Sequence, residues 1–250
     1  MMDQRRSNTE TANSKRFNYE QIPVGYYDAV YHQEKGVQSK WHQLKFARLR
    51  AVLKGTTNHL DIGCGPGTFI GTLADEYCSV GVDISPSQID FARGQYGTSK
   101  KSFEQIDGNL KLFQDDSFDV VTVIELIEHL LPEQYEKLLQ EAIRVLRPHG
   151  RLIVSTPNYG GLWPKVECLV NRLGRISYLD QHITRFTRSS LHDLLERSGL
   201  NNVSVSTFMF VAPFTACLGW RFADLIERLE PQAAVSRWGL LLLGLASKPS

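Results

Sequence analysis

Three glycines at alternate positions, Gly63, Gly65 and Gly67, follow the apolar stretch His59-Leu-Asp-Ile62 and precede Thr68-Phe-Ile70. Glycines after a strand permit a tight turn through positive φ and let a ligand approach the main chain. The spacing is G-x-G-x-G, not the G-x-G-x-x-G of a dinucleotide site, and Pro66 lacks the N–H that a phosphate would use. A nucleoside without a pyrophosphate suits this turn better. Twenty-two residues after Asp61, the run Ser79-Val-Gly-Val ends in Asp83, an acid at a second strand tip placed to accept both hydroxyls of a ribose.

Glu125, Glu128 and His129 form a second group, Glu-x-x-Glu-His. On a helix, positions i, i+3 and i+4 project to one side. Adjacent carboxylates repel, and a divalent cation relieves that repulsion. An imidazole completes a mixed oxygen–nitrogen site suited to Mg²⁺, Mn²⁺, Fe²⁺ or Zn²⁺. A fourth ligand has to come from a neighbouring loop, and His182, in Leu179-Asp-Gln-His-Ile-Thr-Arg-Phe186, follows the adjacent strand. The residues alone leave a second reading open, in which the acids bond main chain and His129 caps a turn. Without a metal, Glu128, His129 or His182 can act as general base.

Such residues need a scaffold that sets strand ends side by side. Apolar runs near 58–62, 79–83, 102–106, 118–124, 151–155, 203–210 and 239–247 read as strands; helices fall near 40–54, 68–76, 86–96, 133–147 and 188–199. The alternation predicts an α/β fold, a mostly parallel sheet with helices on both faces. Ligands in such sheets bind beyond the carboxyl ends of strands, so the insert near 158–187 should lie over the site. A second insert, near 212–238, separates the last two strands. At 250 residues and 42% apolar, the chain can bury one substantial core, so 17–250 reads as a single domain behind a polar, disordered tail over 1–16.

Charge is nearly balanced, 28 basic against 27 acidic residues, which argues against a nucleic-acid partner. Cys64, Cys78, Cys168 and Cys217 form no C-x-x-C, and with the polar start Met1-Met-Asp-Gln-Arg-Arg they read as reduced thiols of a cytoplasmic protein. Val203–Trp220 lacks charge but contains Pro213 and alternates like a strand, so it reads as strand plus apolar helix, not a membrane span. Leu162, Trp163, Val166, Leu169, Val170, Leu173 and Ile176 repeat at helical spacing, interleaved with Lys165, Arg172 and Arg175. An amphipathic helix over 162–176 suits core packing, or a peripheral membrane contact at the entrance for a greasy acceptor. Phe214, Leu218, Trp220, Phe222, Leu225 and Ile226 would extend that rim or form a homodimer face.

In this order the residues resemble the class I S-adenosylmethionine-dependent methyltransferases. The family's first motif matches Leu60-Asp-Ile-Gly-Cys-Gly-Pro-Gly67. Its ribose-binding acid matches Asp83 in Val80-Gly-Val-Asp-Ile-Ser85, and its adenine-proximal acid matches Asp107 in Phe103-Glu-Gln-Ile-Asp-Gly108. The fourth- and fifth-strand blocks match Asp115-Asp-Ser-Phe-Asp-Val-Val121 and 145–154; the resemblance spans roughly residues 40–250. It implies a Rossmann-like, seven-stranded sheet, S-adenosyl-L-methionine as methyl donor, and a cofactor site of Asp61, Gly63, Gly65, Gly67, Asp83, Ile84, Asp107 and Gly108.

Glu-x-x-Glu-His after the fourth strand is similar to two methyltransferase groups whose members bind a divalent metal there. These are the ubiquinone-biosynthesis O-methyltransferases and the small-RNA 3′-terminal 2′-O-methyltransferases. Carried over by position, the ligands of a Mg²⁺, Mn²⁺ or Zn²⁺ ion are Glu125, Glu128, His129 and His182. Thr156-Pro-Asn158 is reminiscent of the RNA enzymes, but Tyr159, Gly160 and Gly161 stand where that pattern wants an acid and a second Asn. The ubiquinone group is the better match. The resemblance therefore implies O-methylation of a small or lipid-linked, quinol-like acceptor, with Glu128, His129 and His182 at the reacting oxygen, in a cytoplasmic protein that can sit at the inner face of a membrane. The rivals are RNA 2′-O-methylation and a catalytically silent binding protein of the same fold. Gly25-Tyr-Tyr-Asp28 and Trp41-His-x-x-Lys45 are candidates for a lid, with Tyr27 or Lys45 reaching the cofactor's carboxylate.

Overall fold

Val121 and Val123 pack in one cluster with Leu139, Ala142 and Leu191, while Val120, just before them, faces another with Leu49, Phe69 and Ile153. A strand buried on both faces needs a layer above and a layer below. The computed structural model describes residues 22–53, 57–173 and 181–250, so the tail expected over 1–16 lies outside the described residues. Its strands are β1 (Asn58–Ile62), β2 (Cys78–Asp83), β3 (Lys101–Gln105), β4 (Phe118–Ile124), β5 (Leu146–Pro157), β6 (Asn201–Phe208) and β7 (Leu241–Ser247). They form a seven-stranded sheet in the order β3-β2-β1-β4-β5-β7-β6. β1 to β5 run parallel, and β7 is antiparallel to both β5 and β6. This is the Rossmann-like sheet expected from the sequence.

The helices are α1 (Tyr26–His32), α2 (Gly36–Leu53), α3 (Thr68–Gly71), α4 (Pro86–Tyr96), α5 (Pro132–Val145), α6 (Trp163–Leu173), α7 (Arg188–Arg197), α8 (Trp220–Leu229) and α9 (Gln232–Trp238). Several boundaries depart from the sequence reading. The helix expected over 68–76 stops at Gly71, where a Cβ would stand 2.4 Å from the Tyr96 ring: α3 is held short against α4. α5 begins on Pro132, whose missing N–H is harmless at a helix start, and gives way to β5 at Leu146, five residues earlier than expected. The uncharged run Val203–Trp220 divides into the end of β6, a 3₁₀ turn over Ala212–Cys217 and the start of α8. Among the described residues no helix is long and apolar enough to cross a membrane.

Parallel register sets the strand ends level. Asp61 pairs with Gly81 on one side and Thr122 on the other, Asp83 with Gln105, and Ile124 with Ser155. The glycine turn, Asp83, Asp107 and Glu125–His129 therefore all leave the sheet at its carboxyl edge, where open α/β sheets hold their ligands.

Candidate active site

Gly63, Gly65 and Gly67 have φ of 76°, 52° and 75°, the region that residues with a Cβ avoid. Packing fixes two of them again: a Cβ would come within 2.8 Å of Leu126 at Gly63 and 2.6 Å of Phe103 at Gly67. The N–H groups of Gly63 and Cys64 both donate to Val82 O, at 2.8 and 3.0 Å, folding the turn over the end of β2. There Asp83 Oδ2 accepts from Gly65 N–H at 2.8 Å and Oδ1 from Ser85 N–H at 2.9 Å. The carboxylate is thus oriented by main chain, and each oxygen can accept further hydrogen bonds. Ile84 beside it is 59% exposed, an apolar surface suited to a planar base. Gly108 has φ of 89°, and Asp107 is exposed and accepts from the Asn109 amide.

Asp61 is buried and accepts from Thr122 Oγ1 at 2.5 Å. Because that hydroxyl spends its proton on Asp61, His59 Nε2–H must donate to Thr122 Oγ1 (2.8 Å) and Ser79 to His59 Nδ1 (3.2 Å). Burial holds the His59 imidazole down at about 3 and pushes Asp61 up to about 7, with Asp83 adding to the rise. Two acids in a dry turn favour a ligand that brings positive charge over one that brings phosphate.

The Glu-x-x-Glu-His group does not form the helical face that the spacing suggests. Glu125 has φ of 48°, and only a 3₁₀ turn, Ile127–His129, follows. The two acids separate. Glu125 pairs with Lys45 of α2, whereas Glu128, 1% exposed, accepts from Thr156 Oγ1 at 2.9 Å. His129 Nδ1 lies 2.8 Å from Gln181 O; a carbonyl only accepts, so Nδ1 holds the proton and Nε2 the lone pair. His182 folds back as expected, with Nδ1 2.7 Å from Glu167 Oε1. Ligand-capable atoms of Glu128, His129 and His182 lie within 4.8 Å of one another. Glu125 is outside that group, so three of the four expected metal residues converge and the fourth faces a lysine instead.

Burial, with Glu125 adding, pushes Glu128 up to about 8, and burial holds His129 down at about 4 and His182 below its ordinary value. The two imidazoles thus keep their lone pairs while Glu128 tends to hold a proton, and a divalent cation would displace that proton and use all three groups as donors. One carboxylate and two imidazoles suit Zn²⁺, Mn²⁺ or Fe²⁺ better than the all-oxygen preference of Mg²⁺.

α6 departs from the expected stripe. Trp163 is buried, with its ring centroid 5.4 Å from that of Trp41 and 5.9 Å from that of His182, while Leu169 is 56% exposed. The inward face carries an acid, Glu167, which the sequence reading passes over. Its only local signal is a position four residues after Trp163, inside an otherwise apolar face. The Leu173 side chain, Arg175 and Ile176 lie outside the described residues. Near the N-terminus, Asp28 of α1 accepts from Thr68 Oγ1 at 2.9 Å and from the Tyr96 hydroxyl, pinning α1 to α3 and α4. Lys45 engages Glu125, and the Tyr27 ring packs on Tyr26 and His42. Two surface clefts, of about 540 and 400 Å³, touch none of Asp83, Glu128 and His182 and do not mark this site.

A family model described as a methyltransferase domain matches residues 34–205. The chain is similar to norajmaline N-methyltransferase of Rauvolfia serpentina, 34% identical over 123 residues, or 46% of this chain and 41% of the relative. It is similar also to the ubiquinone biosynthesis O-methyltransferase of Coxiella burnetii, 31% identical over 119 residues, or 46% of this chain and 50% of the relative. These alignments thus span about half the length, or less, of the curated relatives. Among solved structures, a SAM-dependent methyltransferase from Archaeoglobus fulgidus superposes with a TM-score of 0.62 at 24% identity, covering 82% of this chain and 94% of that one. That likeness is one of fold.

Proposed function

The chain belongs to the methyltransferase-domain family, and on that premise we propose that it transfers a methyl group from S-adenosylmethionine to an oxygen of a small or lipid-linked acceptor. The observation that carries the donor is the pair of buried acids, Asp61 and Asp83, at the glycine turn. S-adenosylmethionine brings its methyl on a sulfonium that is already activated, so the protein mainly aligns the partners. Asp83 is placed for the ribose hydroxyls, Ile84 and Asp107 for the base, and the main chain of Gly63–Gly67 for the amino-acid portion.

An oxygen acceptor is supported by Glu128, His129 and His182. A hydroxyl is a poor nucleophile until it loses its proton, and a neutral imidazole Nε2 can take that proton. Burial weakens His129 as a base by holding it at about 4, so His182, whose basicity Glu167 supports, is the better candidate. A divalent cation held by Glu128, His129 and His182 would supply Lewis acidity to the acceptor oxygen. Glu125, paired with Lys45, contributes charge near the cluster but is not one of its donors. A second reading, an amine acceptor, is favoured by the similarity to an N-methyltransferase. A neutral amine attacks without a base, so it makes less use of the cluster.

Incubation with methyl-labelled S-adenosylmethionine and panels of quinols, phenols and amines, followed by mass spectrometry, separates the two. Transfer to oxygen that is lost in His182→Ala supports the first reading, and transfer to nitrogen that survives it supports the second. A folded protein that binds neither S-adenosylmethionine nor S-adenosylhomocysteine in calorimetry refutes both.

A further inference from the structure

Glu167 of α6 is 8% exposed, and its partners explain how a carboxylate is tolerated on the inward side of an insert helix. Its Oε1 lies 2.8 Å from the Tyr159 hydroxyl and 2.7 Å from His182 Nδ1, and the Tyr159 oxygen lies 2.9 Å from the same Nδ1. An ionised carboxylate only accepts. Oε1 therefore takes one hydrogen bond from the tyrosine and one from the imidazole, which requires the proton on Nδ1. The lone pair is left on Nε2, the nitrogen directed away from Glu167. The rings of His129, 5.2 Å away, and Trp163, 5.9 Å away, flank the imidazole and restrict its rotation. Tyr159 lies in the turn before α6 and Glu167 one turn inside it, so the insert builds the outer wall of the site and not merely its rim.

We propose that Glu167, itself oriented by Tyr159, is a positioning residue that holds His182 in the Nδ1–H tautomer and aims Nε2 at Glu128 and His129. This rests on the reading of Glu128, His129 and His182 as the acceptor-side cluster. The carboxylate does two things that an amide or alkyl group there would not do together. It selects the tautomer, and its negative charge makes Nε2 a stronger electron-pair donor, towards a proton or towards a cation. Glu128 fixes the cluster from the 3₁₀ turn after β4 and Glu167 fixes it from the insert, so the two sides are set by different elements of the fold.

The test uses the full chain labelled with ¹⁵N-histidine, together with E167A, E167Q and Y159F, with the His182 signals identified by their loss in H182Q. Long-range ¹H–¹⁵N spectra of the metal-free protein report which ring nitrogen carries the proton. The parent is expected to show His182 protonated on Nδ1, and E167A a shift toward the other tautomer. E167Q, whose side-chain carbonyl still accepts, should lie between them. Zn²⁺ titration by calorimetry should show about 10–100-fold weaker binding in E167A, with E167Q intermediate and S-adenosylhomocysteine affinity unchanged as the check on folding. If E167A does not fold, intermediate tautomer shifts in E167Q and Y159F carry the proposal. A parent His182 protonated on Nε2 overturns it, as does a folded E167A or E167Q indistinguishable from the parent in tautomer and Zn²⁺ affinity. If the parent binds no Zn²⁺ while E167A still shifts the tautomer, the metal reading fails and the positioning role stands.

Discussion

Asp83 concentrates several constraints in one side chain: it closes the glycine turn, caps the start of α4 through Ser85, and points at the predicted ribose position. Each hydrogen bond to a charged acceptor contributes about 1.5–3 kcal/mol. Asp83→Ala is therefore expected to weaken S-adenosylhomocysteine binding at least about tenfold in calorimetry, with Asp83→Asn milder; equal affinity in a folded Asp83→Ala protein removes the ribose assignment. The metal reading is tested at the same scale. Glu128→Gln and His129→Ala should empty the site by elemental analysis, whereas Glu125→Gln, whose partner is Lys45, should retain more metal than either. Retention in all three returns the cluster to general-base chemistry. His59 gives a pH signature. Burial keeps it neutral down to about 3, while the unfolded chain takes up a proton near pH 6.5, so its contribution to stability is full above that pH and is lost on acidification. The slope it adds approaches 1.4 kcal/mol per pH unit, roughly one proton. Urea titrations at pH 7, 6 and 5 should show a shallower loss for His59→Gln, and an unchanged slope would mean that His59 is protonated in the folded state. Asp61, the glycines and Asp83 are legible in sequence because strand tip and turn spacing are local patterns. Glu167 and the pairing of Lys45 with Glu125 are not, because only the docking of α6 and α2 brings those groups together.

At the scale of elements, the sheet and its strand ends are readable from apolar runs, and errors gather where tertiary packing overrides a local pattern. α3 loses its second half to the close approach of α4 at Gly71, and β5 takes residues that α5 was expected to hold. The glutamates of the fourth-strand turn split because Glu125 adopts a left-handed backbone that no helical projection contains. For α6 the sequence supplies the amphipathic period but not which polar residue breaks the inward face. Its outward side keeps Leu169 in solvent near Lys165 and Arg172, a pattern suited to weak peripheral contact with anionic lipid. Leu169→Ser is expected to lower co-flotation with anionic vesicles and turnover of hydrophobic acceptors while leaving cofactor affinity intact. A parent protein that stays at the bottom of the gradient assigns Leu169 to ordinary surface or to a dimer contact.

At the scale of the whole molecule, a net charge of +1 offers few phosphate contacts, so binding to small RNA should be weak and without preference for a 3′ end. Methylation of an RNA 3′ terminus, abolished by His182→Ala, would reverse the choice of acceptor class. The strand order has a consequence of another kind, for the protein as it is made. Among the described residues β7 is the one strand that β6 pairs with, and β7 comes after it in the chain, beyond α8 and α9. A growing chain therefore releases β6 from the ribosome with nothing to pair with, and the outer bond line of β5 stays bare for the same interval. The donor turn, drawn from β1 and β2, can form early; the far half of the sheet is sealed only when β7 slides between two strands already made. Interrupted synthesis thus exposes two unpaired edges at once, the state most prone to pair with a neighbouring nascent chain.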